Sequence, residues 1–250
     1  MPESIPVFSE LPGIRAFFTT RNGGYSRDAY GSLNLSFFTG DDSESVRRNW
    51  GSLLKAQGLT RHSLALPRLS HGIHIEEISG LGGHSGGIVS AAPADTDALF
   101  TRSSEWVLAV TMGDCLAALI ADPVTRCVAA VHAGWRGSRD NILGRTLERL
   151  FSQGHCRPDS TWVALGPCLS PGAMGVSKET ADTLPSQYIK MQDGSHFFDL
   201  TGCNRAQAEA SGARHFVEIG GCTRTDAQRF FSYRRDGAKS GRMAACIALV

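Results

Sequence analysis

The chain has 250 residues, 42% of them hydrophobic and 20% charged, with a formal net charge of +1. That length can bury a substantial core, the composition is that of globular rather than disordered protein, and the balanced charge gives no electrostatic case for a nucleic-acid partner or an anionic membrane. The start, Met1-Pro-Glu-Ser-Ile-Pro-Val-Phe8, lacks the basic segment and apolar core of a signal peptide, and no apolar run nears the roughly 20 residues that span a bilayer. Seven cysteines without a CxxC or a regular framework fit reduced thiols in a cytosol. A cytoplasmic protein is therefore expected, a single domain over residues 1–250, with no evident protein partner.

The first strand-like run is Arg15 to Thr20, rich in aromatic and β-branched residues. Val46, Trp50, Leu53 and Leu54 then follow helical spacing, with Asp42 and Ser43 as capping candidates and Gly58 as the stop. Further strands are expected at Ile73 to Ile78, Val107 to Thr111, Cys115 to Ala121, Cys127 to His132 and Thr161 to Leu165. The glycine-rich stretch from Gly80 to Gly87 reads as an exposed loop, since no Lys-Ser/Thr follows it as in a phosphate-binding loop. A second helix is expected from Asp140 to Gln153, with Leu143, Leu147, Leu150 and Phe151 on one stripe and Gly154 beyond. A third runs from Leu200 to Ser211. Interleaved strands and helices give an α/β class, and the hairpins imply mixed sheets.

The chemistry gathers around one of these hairpins. Asp122-Pro-Val-Thr125 carries Asp and Pro where a type I turn wants them. If it joins the two strands directly, Cys115 faces His132, and paired side chains lie about 4.5–5.5 Å apart. A thiol and an imidazole that close can share a metal or a proton. Cys115 alone also reads as a small buried apolar side chain, and His132 alone as a structural residue at a strand end. Asp114 beside Gly113, and the Ala-Gly-Trp-Arg-Gly turn after His132, favour function. In Ser70-His-Gly-Ile-His74 the two histidines point to opposite faces if the segment is extended. One of them at most serves a given site, and His71 beside Gly72 is preferred. Nothing in the spacing brings His71 to the hairpin.

Motifs along almost the whole chain resemble the YfiH-like family, also known as multicopper polyphenol oxidoreductase or laccase-domain proteins. They are Thr20-Arg-Asn-Gly-Gly24, Leu33-Asn-Leu35, Gly40-Asp-Asp42, Asp97-Ala-Leu99, Gly113-Asp-Cys115, Val131-His-Ala-Gly-Trp-Arg-Gly137, Ala164-Leu-Gly-Pro167, Cys222-Thr223, Phe230-Phe-Ser-Tyr-Arg-Arg-Asp-Gly237 and Gly241-Arg-Met243. The resemblance implies a layered α/β/β/α fold, related to the catalytic domain of cytotoxic necrotizing factor and to cysteine hydrolases of that type. It also implies a zinc-associated site on His71, Cys115 and His132. The implied activity is phosphorolysis of adenosine, inosine and S-methyl-5'-thioadenosine, giving ribose 1-phosphate and a free base, with adenosine deamination beside it. Its partners are then a nucleoside and inorganic phosphate, and a peptidoglycan-editing role is also associated with bacterial members. The chain departs from the family pattern at Leu69-Ser-His71, at Gly113 and at Pro171-Gly-Ala-Met-Gly-Val176.

Catalytic roles are expected for His71, Cys115, His132 and Asp114, with Arg21, Arg48 and Arg242 as cations for the phosphate. Zinc held by three protein donors keeps a position open for chemistry. Copper is less favoured, because multicopper oxidases rely on His-x-His pairs and the 8 histidines here contain none. Two rival readings are a Cys-His hydrolase acting on an amide of peptidoglycan precursors and a non-catalytic binding protein with an altered pocket.

Overall fold

The computed structural model describes residues 1–80, 89–91 and 93–250, so the expected loop at 80–87 lies almost wholly outside the described residues. One six-stranded sheet runs β1 (Ser4–Val7), β2 (Ile14–Thr19), β15 (Met243–Leu249), β7 (Trp106–Met112), β3 (Ser63–Ala65) and β5 (Val89–Ala91) in spatial order. The other runs β14 (His215–Glu218), β10 (Trp162–Leu165), β8 (Leu116–Asp122), β9 (Cys127–Ala133), β6 (Ala98–Thr101) and β4 (Ile75–Glu77). A small third sheet joins β11 (Gly175–Val176), β13 (Ser195–Phe198) and β12 (Ile189–Gln192). The helices are α1 (Ser43–Ala56), α2 (Trp135–Arg139), α3 (Ile142–Ser152), α4 (Lys178–Ala181), α5 (Leu200–Ala210) and α6 (Tyr233–Asp236).

Side-chain alternation explains the layers. On β7 and β15, Val107, Ala109, Ala244, Cys246 and Ala248 pack with Val46, Trp50, Leu53 and Leu54 of α1. Their neighbours Leu108, Val110, Ala245 and Ile247 turn the other way and meet Ala117, Leu119, Val128 and Ala130 of β8 and β9. The far face of β8 and β9, through Leu116, Ile120, Ala129 and Val131, is covered by Leu143, Leu147 and Leu150 of α3 and by Leu200, Cys203 and Ala208 of α5. The order is helix, sheet, sheet, helix, as the resemblance implied. Among the described residues no helix is long and apolar enough to cross a membrane.

The expected helices form within two residues of their expected ends, and Asp42 caps α1 by accepting from the amides of Glu44 and Ser45. The hairpin register differs. His132 pairs with Ala117, and Asp122 with Cys127, two residues away from the expected alignment. The cause is a longer loop. Asp122 Oδ1 accepts from the amides of Val124 and Thr125 at 2.9 and 3.2 Å, and Arg126 takes a left-handed backbone with φ 53°, so four residues lie between the strands. A slip of two preserves the face, where a slip of one would have reversed it. Cys115 therefore lies just before β8, diagonal to His132 and on its side of the sheet. The strand at Ile73 to Ile78 shortens to Ile75–Glu77, and β15 was not anticipated.

Trp50 is fully buried and donates its indole N–H to Leu35 O at 2.9 Å. Trp50→Ala is expected to cost about 3–5 kcal/mol from the cavity it leaves. Trp50→Phe, which orphans only the Leu35 carbonyl, should cost about 1–3 kcal/mol. Urea unfolding of both variants checks the ranking, and equal losses would contradict it.

Candidate active site

The site is assembled around Asp97, which immediately precedes β6 and is completely buried. Its carboxylate accepts from the Ser70 hydroxyl at 2.8 Å and from the amides of Ser70, His71 and Gly72 at 3.2, 3.0 and 2.8 Å. It also meets His132 Nδ1 at 2.8 Å, while its own carbonyl accepts the His132 amide at 2.7 Å. One side chain thus ties the turn carrying His71 to the strand carrying His132. The grip on three successive amides also explains how His71 is kept at φ 61°, a backbone region that non-glycine residues seldom occupy.

With Nδ1 of His132 committed to Asp97, its Nε2 is left for the site. The ligand atoms of His71, Cys115 and His132 all lie within 4.8 Å of one another, and the imidazoles stand edge to face with centroids 4.9 Å apart. His74 turns away and pairs with Glu76 at 3.2 Å in an exposed position. Gly134, opposite Cys115 in the extended register, is the wall behind this group. A Cβ there would fall 3.1 Å from the Cys115 sulfur and 3.2 Å from His71 Cδ2, so glycine is set by space, its φ being an ordinary −71°.

Burial would raise the Cys115 thiol, but the charge on His132 and hydrogen bonds from both histidines outweigh it and bring the thiol down to about 6. Burial would likewise lower His132, yet the Cys115 charge and the Asp97 hydrogen bond push it up to about 9. Asp97 is held well below the usual carboxylate range, because its bonds to His132, Gly72 and Ser70 overcome its own burial. The result is a line of thiolate, imidazolium and carboxylate. Two imidazoles and a thiolate converging on one point also form a donor set that zinc or copper accepts.

This group opens on a cavity of about 630 Å³. Asp114, at φ 96°, lies on its wall with its carboxylate fully engaged. Oδ1 accepts the Thr223 hydroxyl at 2.7 Å, Oδ2 accepts the Arg234 amide, and the carbonyl accepts the Leu169 amide at 3.1 Å. Arg242 lines the cavity too, anchored by Nη1 to the carbonyls of Ser240 and Gly241 at 2.7 and 2.9 Å. Arg21 and Arg48 are placed elsewhere. Arg21 donates to Gly31 O and Ala227 O, and Arg48 stacks 4.0 Å over Tyr25. The cavity draws its other cations from Arg68, Arg136 and Arg234. Arg136 and Arg234 sit inside recognisable motif blocks, but spacing alone does not separate them from surface arginines. Asp97 was legible only as part of a motif, with no role attached.

The family model described as multi-copper polyphenol oxidoreductase laccase matches residues 15–250. A purine nucleoside phosphorylase of Deinococcus radiodurans is 33% identical over 240 residues, spanning 93% of this chain and 88% of the relative. Adenosine deaminase RL5, from an unknown prokaryotic organism, is 30% identical over 96% of this chain and 95% of its own length. The crystal structure of the Bacillus licheniformis protein YfiH is similar with a TM-score of 0.92 at 25% identity, covering 100% of this chain and 97% of that one.

The coupling of Cys115 to His132 has a measurable sign. In chelator-treated protein, alkylation of Cys115 should rise with pH around a midpoint near 6, since the reactive thiolate is lost as pH falls below that value. Asp97→Asn removes the anion that keeps His132 charged, so the midpoint should move up and labelling at pH 7 should slow. An unchanged pH profile would mean that Asp97 does not set the charge of the pair.

Proposed function

Because the chain belongs to the multi-copper polyphenol oxidoreductase laccase family, and its relatives include enzymes named purine nucleoside phosphorylase and adenosine deaminase, we propose that it is a purine nucleoside phosphorylase with adenosine deaminase side activity. Its substrates in this reading are adenosine, inosine and S-methyl-5'-thioadenosine, with inorganic phosphate as second substrate. The observation that carries it is the convergence of His71, Cys115 and His132 on a cavity that also holds Arg68, Arg136, Arg234 and Arg242. Its volume lies within the range usual for small-molecule sites, about 300–1,000 Å³. A cytoplasmic setting suits the substrates and keeps the seven thiols free.

His71, Cys115 and His132 would hold zinc. When bound, the ion supplies Lewis acidity at the purine. Copper is the weaker choice, since among the described residues these three form the one group of metal-ligating side chains, whereas a multicopper oxidase needs several. The chain's own residues do the rest. Arg242 and Arg136 present guanidinium forks for phosphate, and Asp97 fixes the ring of His132. Phe38 and Tyr233, 60% and 53% exposed at the cavity, offer aromatic faces to a base. Asp114 positions Cys115 and the Arg234 backbone, because both of its carboxylate oxygens already accept hydrogen bonds.

A second reading has its own observation. Cys115, His132 and Asp97 are arranged as nucleophile, base and orienting carboxylate, which suits a cysteine hydrolase attacking an amide such as that of a peptidoglycan precursor. It requires an acyl-enzyme and no phosphate.

The two readings separate in one assay. Adenosine with phosphate should yield adenine and ribose 1-phosphate, with inosine as a minor product, and Cys115→Ala should abolish both reactions. Arg242→Ala should raise the phosphate KM roughly 10- to 100-fold, the worth of a charge-assisted hydrogen bond, with less effect on deamination. Absence of nucleoside turnover together with a trappable acyl group on Cys115 would replace this proposal with the hydrolase.

A further inference from the structure

A second cavity, of about 420 Å³, lies among residues 165–171, the start of α5 and residues 218–222. Two sulfurs share it. Cys168 and Cys222 are backbone partners in an isolated parallel bridge, and both line the cavity. Neighbouring strands stand about 4.7–4.9 Å apart, which falls inside the Cα window of roughly 4.4–6.8 Å that a disulfide requires.

Their surroundings differ in a way that assigns roles. Cys168 is 4% exposed, donates to Leu169 O at 3.4 Å and lies 3.3 Å from the Thr201 hydroxyl. Burial pushes its thiol up to about 12, so it keeps its proton. Cys222 is half-buried, and its sulfur accepts the Ser170 amide at 3.4 Å. Burial acts to raise it, but hydrogen bonds from Ser170 and Thr225 prevail and bring it to about 7. A partly accessible thiolate beside a protonated neighbour is the arrangement of an attacking and a resolving thiol.

The pair is also joined to the catalytic wall. Leu169, which follows Cys168, donates its amide to Asp114 O at 3.1 Å, and Thr223, which follows Cys222, donates its hydroxyl to Asp114 Oδ1 at 2.7 Å. Thr223 further donates its amide to Cys168 O at 3.0 Å. The two segments that carry the sulfurs thus supply two of the three contacts that hold Asp114, next to Cys115, the third being the Arg234 amide.

We propose that Cys222 and Cys168 are an oxidation site, in which a hydroperoxide oxidises Cys222, Cys168 resolves it to a disulfide, and the disulfide disturbs the clamp on Asp114. In the first step the Cys222 thiolate attacks the terminal peroxide oxygen. An S–O bond forms, the O–O bond breaks, and the departing alkoxide or hydroxide takes a proton from solvent. Sulfur is oxidised by two electrons and the peroxide is reduced. In the second step Cys168 attacks that sulfur, the S–S bond forms, the S–O bond breaks, and hydroxide leaves as water with the proton of Cys168. The Cys168 sulfur must then give up its contacts with Leu169 O and the Thr201 hydroxyl, which pulls on Leu169 and through it on Asp114.

The test treats the full-length protein with hydrogen peroxide, blocks free thiols, and maps the peptides by mass. A Cys168–Cys222 peptide lighter by two hydrogens and restored by dithiothreitol is expected. In Cys168→Ser, dimedone should instead mark Cys222 as its sulfenic acid. The rate at which iodoacetamide labels the Cys115 that remains unoxidised should differ between oxidised and reduced wild-type protein, and should not differ in Cys222→Ser. Peroxide that produces neither the linked peptide nor the dimedone adduct overturns the oxidation site. A linked peptide with unchanged Cys115 labelling overturns the clamp. These readouts do not depend on which substrate the catalytic site takes.

Discussion

The structure of the site depends on one buried carboxylate. Removing Asp97 from water is unfavourable unless its charge is met by donors on every side, and the chain meets it with a hydroxyl, three consecutive amides and an imidazole. Those donors are contributed by segments that are otherwise independent, the 70–72 turn and the end of β9. Their convergence sets the position of His71, fixes which nitrogen of His132 is free, and stabilises the charge on that ring. Cys115 becomes a thiolate because His132 is held as a cation beside it, and His132 is held as a cation partly because Asp97 lies behind it. Each group depends on the next, so neutralising any one of them is felt along the line.

The layers explain why this happens at the ends of β8 and β9 rather than along them. Both strands are buried on both faces, one against the other sheet and one against α3 and α5. Such strands have no room for uncompensated polar groups except where they end. The candidate site residues accordingly fall at their edges. Cys115 precedes β8, His132 is next to last in β9, Gly134 follows it, and Asp97 precedes β6. Gly134 shows how tightly the group is packed, because even a methyl group there would press on the Cys115 Sγ.

The helices were legible in the sequence because their apolar stripes and caps are local signals, and Asp42 caps α1 as its position suggested. The face shared by Cys115 and His132 was legible too, since alternation survives a register slip of two. The register itself was not, because it was decided by a left-handed Arg126, a conformation that neither its residue type nor its neighbours announce. Met243–Leu249 passed unseen because Ala244, Ala245 and Ala248 supply no β-branched signal, although this strand lies between β2 and β7. The approach of His71 to the hairpin is a tertiary fact carried by Asp97, about 25 residues further along the chain, and only the family resemblance anticipated it. Arg21 and Arg48 illustrate the converse, since residues in or near a motif can serve the fold, here through the Gly31 carbonyl and the Tyr25 ring.

The charge of the cavity narrows what can enter it. The two carboxylates nearest the chemistry are turned inward and occupied, Asp97 by the His71 turn and His132, Asp114 by Thr223 and the Arg234 amide. Neither presents a free oxygen to a ligand. The arginines are less confined. Arg68 and Arg136 stack near Phe38 and Trp135 at 5.8 and 4.4 Å, a contact that uses the face of a guanidinium and leaves its edge N–H groups available. Arg242 is partly desolvated and drawn towards the negative charge of Cys115 and Asp114, so it stands beside the site with a field strengthened by burial. A divalent cation bound by His71, Cys115 and His132 would displace the Nε2 proton of His132, neutralise the thiolate that offsets these guanidiniums and leave the cavity more positive still. An anionic co-substrate restores the balance, and a neutral amide substrate does not. In the function proposed above, that electrostatic demand is the physical ground for preferring phosphorolysis to hydrolysis.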